Sequence, residues 1–220
     1  MLIKIKDPVS GYSHLIGAFL VLAGTVALVG KASGVREILA FLIFGISAIL
    51  LYGASSWYHL FGASTEKIAL IRKLDHAFIY ILIAGTFTPF CLILMGGFWG
   101  IFLFVTVWIL ACIGTASIFF RSFWKFFPRW AYTGLYLLMG WIGLALIYPL
   151  RKHPAVIALL LLGGIFYTIG AIIYVCKKPN ISKSVGFHEL FHFFVLAGTL
   201  AHFYCIYRYI ALGQSPLPLP

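Results

Sequence analysis

HAFIYILIAGTFTPFCLILMGGFWGIFLFVTVWILACIGTASIFF, residues 76–120, contains no Lys, Arg, Asp or Glu. A helix rises 1.5 Å per residue, so about 20 apolar residues cross the ~30 Å hydrocarbon core of a bilayer. The stretch is too long for one crossing and long enough for two. Gly96-Gly97 near its middle supplies the break, because glycine tolerates the backbone angles of a tight turn. It reads as two membrane-spanning helices, 74–95 and 98–120, joined with almost no loop. Strands are excluded, since a membrane barrel alternates apolar and polar residues in short segments and these runs are continuously apolar. Pro89 inside the first span predicts a kink, with Thr86 and Thr88 placed to help satisfy the freed backbone groups.

Outward from this pair, further apolar runs cover 12–30, 38–61, 130–149, 154–176 and 187–208. The chain therefore reads as an all-α integral membrane protein, a single seven-helix bundle over residues 1–220. Composition agrees: 63% of residues are hydrophobic, 18% aromatic and only 10% charged, with a mean hydropathy of +1.06. A soluble domain carries roughly 25% charged residues. No small-x-small cleavage site follows the first apolar run, so that run reads as a span and not as a signal peptide.

A net charge of +11 raises the question of nucleic acid. The basic residues, however, sit in short clusters between apolar runs and form no continuous basic face, the pattern of the positive-inside rule. Lys4, Lys6, Lys67, Arg72, Lys73, Arg121, Lys125, Arg129, Lys177, Lys178 and Lys183 fall on one side. Lys31, Arg36, Arg151, Lys152 and Arg208 fall on the other. The amino terminus is expected in the cytoplasm and the carboxyl terminus opposite. Cys91, Cys112, Cys176 and Cys205 show no CxxC spacing and read as small apolar packing residues.

Ionisable groups inside a bilayer are expensive, so each needs a partner or a function. On this topology His59 ends the second helix at the cytoplasmic level. Asp75 and His76 stand in the first turn or so of the third, and His188 and His192 in the first two turns of the seventh. Three helices distant in sequence thus deliver His59, Asp75, His188 and His192 to one depth. His188 and His192, spaced i, i+4, share a helical face about 6 Å apart, a two-point grip on a metal. His59 adds a third nitrogen, and Asp75 is either a direct ligand or the carboxylate that holds a bound water. Three histidines with a water form the open arrangement of a catalytic zinc site. His202, about 15 Å farther along its helix, is too distant and is expected to make an interhelical polar contact. His14 faces the cavity or serves a local role, and His153 lies in a far-side loop.

His188-Glu189-Leu190-Phe191-His192 also reads as H-E-x-x-H, the helical zinc-protease motif whose Glu is the general base. No downstream Asn-Pro or Leu-Asp-Gly element supplies a third ligand, and the available acid, Asp75, lies upstream. The protease reading is therefore set aside.

SSWYH (Ser55 to His59), LDHAFIYILIAGTFTPF (Leu74 to Phe90) and FHELFHFFVLAGTLAHF (Phe187 to Phe203), in that order, resemble the hemolysin III family, the bacterial branch related to the progestin and adiponectin receptors. The resemblance spans nearly the whole chain. It implies zinc bound by His59, His188 and His192, a zinc-bound water held by Asp75, and Ser55 beside the site. It implies no ligand role for Glu189. It also implies a multi-pass protein of the plasma membrane, the inner membrane in a bacterium.

Three functions follow as expectations. The first is a zinc-dependent hydrolase of lipid amide or ester bonds, with a ceramide-like substrate entering from the bilayer and membrane lipids as partners. The second is a permeabilising, cytolytic protein, as the family name suggests. The third is a structural or sensory zinc protein in lipid homeostasis.

Overall fold

A computed structural model describes residues 7–61, 65–120, 126–182 and 184–214. Lys4, Lys6, Arg121, Lys125 and Lys183 of the charge count lie outside the described residues. Among the described residues seven α-helices run in order: α1 (Pro8–Val29), α2 (Val35–Leu60), α3 (Thr65–Pro89), α4 (Gly97–Phe119), α5 (Arg129–Trp141), α6 (Pro154–Cys176) and α7 (Phe187–Cys205). Six of them, counting the turns that extend α3 and α7, are long and apolar enough to cross a bilayer. Phe19, Leu20, Phe98, Trp99, Ile113 and Leu200 stand exposed on the outside, as lipid-facing side chains do. The chain is a multi-pass membrane protein.

In lipid there is no hydrophobic gain from bringing helices together, so close packing depends on small residues at the contacts. Gly45 of α2 leaves no room for a Cβ against Thr25 of α1, and Gly85 of α3 none against Ser47 of α2. α1 packs on α2, α2 on α3 and α6 on α7, while α1 also meets α7. α5 touches α3 and α6 only sparsely, and α4 lies outside against α3. α1, α2, α3, α5, α6 and α7 thus form a ring around a cavity, with α5 the loosely held member.

Three elements depart from the sequence expectation. α3 begins at Thr65 and not near residue 74, because TEKIALIRKL contains good helix formers and neither Gly nor Pro. Asp75 and His76 consequently lie about 15 Å inside the helix start, not in its first turn. At Pro89 the helix passes into a wider π-helical turn, Phe90–Met95. The expected help from threonine takes another form: Thr86 Oγ1 donates to the Leu82 carbonyl at 2.8 Å and Thr88 Oγ1 to that of Ala84 at 2.9 Å. Neither takes the Gly85 carbonyl, the one a proline at 89 cannot bond.

The fifth span is the third departure. The α-helix stops at Trp141 after 13 residues and continues as a 3₁₀ turn, Ile142–Leu146. Gly140 and Gly143 bracket the change, and glycine weakens a helix by about 1 kcal/mol relative to alanine. The two pieces together still rise about 30 Å. The α3–α4 hairpin is as tight as expected, with Gly96 and Gly97 at φ of 58° and 56°, a left-handed region that costs glycine nothing.

Candidate metal centre

α2 ends where α1 and α7 begin, and His59, His188 and His192 converge there. One nitrogen from each lies within 4.8 Å of the other two. His59 and His192 are buried and His188 half-buried. The ring centroids are 4.9 Å apart for His59 and His188, 5.0 Å for His59 and His192, and 4.6 Å for His188 and His192. His59 Nε2 and His188 Nε2 face each other at 3.1 Å. Tetrahedral zinc with Zn–N of about 2.05 Å separates its ligand nitrogens by roughly 3.3 Å, so this pair already stands at ligand spacing. Three neutral imidazoles suit zinc and also copper, iron and nickel. The structure brings together all three histidines expected from the sequence as a site able to bind a metal ion.

Asp75 does not join that trio. Its carboxylate lies on the wall of the cavity that His188 and His192 also line. His76 Nδ1 lies 3.9 Å from Asp75 Oδ2, and that nitrogen donates to the Arg72 carbonyl at 2.9 Å. Ser55, buried to 1% exposure, faces the Asp75 carboxyl without closing a hydrogen bond of ordinary length.

Glu189 turns away from the metal position. Its Oε1 accepts the Ser10 hydroxyl at 2.8 Å and its Oε2 accepts the Gly186 main-chain N–H at 2.8 Å. This is the reciprocal half of a capping box, made from the third helical position of α7.

The cavity holds about 170 Å³, similar to an engineered apolar cavity that admits benzene. It runs from Ser55, Asp75 and His192 to Phe90, Leu146 and His202, a depth of about 15 Å along α7. Most of its lining is apolar. Gly140 of α5 and Leu144 of the 3₁₀ turn that follows it line the cavity and are themselves exposed, so the wall at α5 is the open one. A second, polar depression borders Asp7, Ser182, Gly186 and His188 outside the trio. His188 therefore stands between an apolar cavity and a polar vestibule.

Sequence reasoning missed Asp7. His59 Nδ1 lies 3.1 Å from Asp7 Oδ2. Nothing in the sequence ties residue 7 to residue 59; a lone Asp before Pro8 looks like a helix cap. His14, left open between two roles, stacks on His192 with centroids 3.8 Å apart and planes inclined by 17°, and also lines the cavity. His202 donates from Nε2 to the Leu160 carbonyl at 3.2 Å, the interhelical contact expected of it.

The family described as Haemolysin-III related matches residues 3–203. The chain is similar to the Hemolysin-3 homolog of Bacillus subtilis (strain 168), 37% identical over 93% of this chain and 95% of that protein. Hemolysin-3 of Bacillus cereus is likewise 37% identical, over 93% and 92%. The adiponectin receptor protein of Drosophila melanogaster is 26% identical over 89% of this chain and 48% of the receptor.

Proposed function

Starting from the fact that this chain belongs to the Haemolysin-III related family, we propose that it is a zinc-dependent hydrolase of lipid amide or ester bonds, with ceramide-like lipids as the substrate class. One observation carries this reading: three imidazoles able to hold a metal ion at the end of a deep, mainly apolar cavity that is open beside α5. A short stretch of a lipid acyl chain fits such a cavity, and the α5 wall offers entry from the bilayer. The polar vestibule on the far side of His188 offers water and an exit for a polar product.

His59, His188 and His192 hold the metal. Zinc bound there supplies Lewis acidity, polarising a carbonyl and easing the ionisation of water. Asp75 orients the attacking water and takes its proton as the water oxygen bonds to the carbonyl carbon. As the carbon–nitrogen or carbon–oxygen bond breaks, Asp75 returns that proton to the leaving amine or alcohol. Ser55 stands beside the Asp75 carboxyl on the same cavity wall.

The test is metal analysis of purified wild type against His188→Ala, followed by a lipid-hydrolase screen of wild type and Asp75→Asn. Wild type carries about one zinc per chain, and His188→Ala loses it. Asp75→Asn keeps zinc and loses hydrolysis by 100-fold or more, the scale of a lost general base. Zinc-loaded wild type that releases no fatty acid from ceramides or related lipids overturns the hydrolase reading in favour of a structural or sensory site.

The name Hemolysin-3, borne by a relative at 37% identity, supports a second reading, direct permeabilisation. The apolar lining of the cavity weighs against it, since a conducting path needs polar groups or water along its length. Discrete, zinc-independent conductance in planar bilayers decides for permeabilisation.

A further inference from the structure

The opening turns of α1 share one face, and that face is given over to the metal site. Asp7, Ser10 and His14 stand at i, i+3 and i+7, one stripe of a helix. Ser10 bonds Glu189 beside His188, and His14 stacks on His192. Asp7 reaches His59 twice: its main-chain N–H donates to the His59 carbonyl at 3.2 Å, and its Oδ2 lies 3.1 Å from His59 Nδ1.

Asp7 occupies the cap position of α1, ahead of Pro8, yet its carboxylate makes no cap hydrogen bond. Aspartate is among the best cap residues because its side chain satisfies the free N–H groups of the first turn. Here that role is forgone for a contact across to α2. A carboxylate only accepts hydrogen bonds, so His59 Nδ1 carries the proton. The lone pair then belongs to Nε2, the atom that faces His188 Nε2 at 3.1 Å. The His59 side chain is 2% exposed and that of Asp7 35%, so the carboxylate reaches the ring from the vestibule side while the ring stays dry.

We propose that Asp7 is a positioning residue of the metal site: its carboxylate fixes the tautomer and orientation of His59 so that Nε2 is the ligand atom. Carboxylate–histidine–metal arrays of this kind raise ligand basicity, and loss of the outer carboxylate costs about 10–100-fold in metal affinity. The role rests on the metal reading above and is independent of any hydrolase activity. It also gives α1, which contributes no ligand, a reason to be bound into the site.

The experiment compares full-length wild type, Asp7→Ala and Asp7→Asn in detergent. Zinc affinity is read by competition with a chromophoric chelator, and ligand geometry by the visible spectrum of the cobalt(II) form. The metal-free proteins are compared by thermal unfolding, so that a general loss of structure is seen separately. Asp7→Ala weakens zinc binding about 10–100-fold and alters the cobalt spectrum, with a metal-free unfolding temperature close to wild type. Asp7→Asn, whose amide oxygen still accepts from Nδ1–H, falls between the two and keeps the result readable where the alanine variant fails to fold. Zinc affinity of Asp7→Asn and Asp7→Ala within twofold of wild type overturns the role while leaving the metal reading intact. Wild type that binds no zinc overturns both.

Discussion

At the amino end of α7 two neighbouring residues have opposite uses. His188 faces His59 across 3.1 Å, while the next side chain, Glu189, bonds Ser10 and Gly186. In an H-E-x-x-H zinc site the Glu after the first histidine is the general base, but here both Glu189 carboxylate oxygens are engaged, by Ser10 and Gly186. Glu189 instead ties α7 to α1. Glu189→Gln is therefore expected to retain zinc and to keep lipid turnover within about threefold of wild type. It costs about 1–2 kcal/mol of stability, from the weakened cap and the lost charged hydrogen bonds. Zinc content, lipid release and thermal unfolding of the variant check the three statements, and a 100-fold loss of turnover with zinc in place returns Glu189 to catalysis.

At the scale of elements, α5 is the member on which the cavity depends. A straight, fully α-helical fifth span packed on α3 and α6 closes the ring and fills the space. The glycines at 140 and 143 and the 3₁₀ turn after Trp141 prevent that packing, and Trp141 Nε1 anchors the switch by donating to Thr168 Oγ1 at 3.1 Å. Gly140 lines the cavity, and a Cβ added there meets nothing within 4 Å. Gly140→Phe is accordingly expected to fold, to keep its zinc, and to lower turnover of long-chain lipid substrates at least tenfold. A short-chain soluble analogue suffers less. Equal losses on both substrates, or none on either, contradict the assignment of this cavity to the acyl chain.

For the molecule as a whole, a metal held by the proposed site would tie the end of α2 to the start of α7 and, through Asp7 and Ser10, to α1. Ligand binding to the folded state alone stabilises it by RT ln(1 + [L]/Kd), about 2.7 kcal/mol at a hundredfold excess over Kd. Chelation is thus expected to lower the unfolding temperature of wild type by several degrees, and added zinc to restore it. His188→Ala shows neither response. An unfolding temperature indifferent to chelator in wild type places the histidines in a purely packing role.

How much of this was legible beforehand follows from the kind of interaction each feature depends on. Helix count and hairpin were readable because lipid imposes a local rule: about 20 apolar residues per crossing and a glycine pair at a turn. The triad of His59, His188 and His192 was readable because buried histidines are rare in membranes and the basic loops bring their helix ends to one side. The early start of α3 and the broken α5 were missed, since helix propensity continues through a charged segment and falters at glycines whatever the hydropathy. Asp7 was missed for another reason: its partner is 52 residues away, and its local signal is that of a helix cap. Residue type and hydropathy by themselves determined a seven-helix membrane bundle with a histidine trio able to bind a metal ion. Only the tertiary structure decided that Asp75 stands apart from the trio, that Glu189 serves as a cap, that Asp7 holds His59 and that the cavity opens at α5. Each of these depends on which way a side chain turns once the helices have packed, and that orientation has no counterpart in the linear sequence.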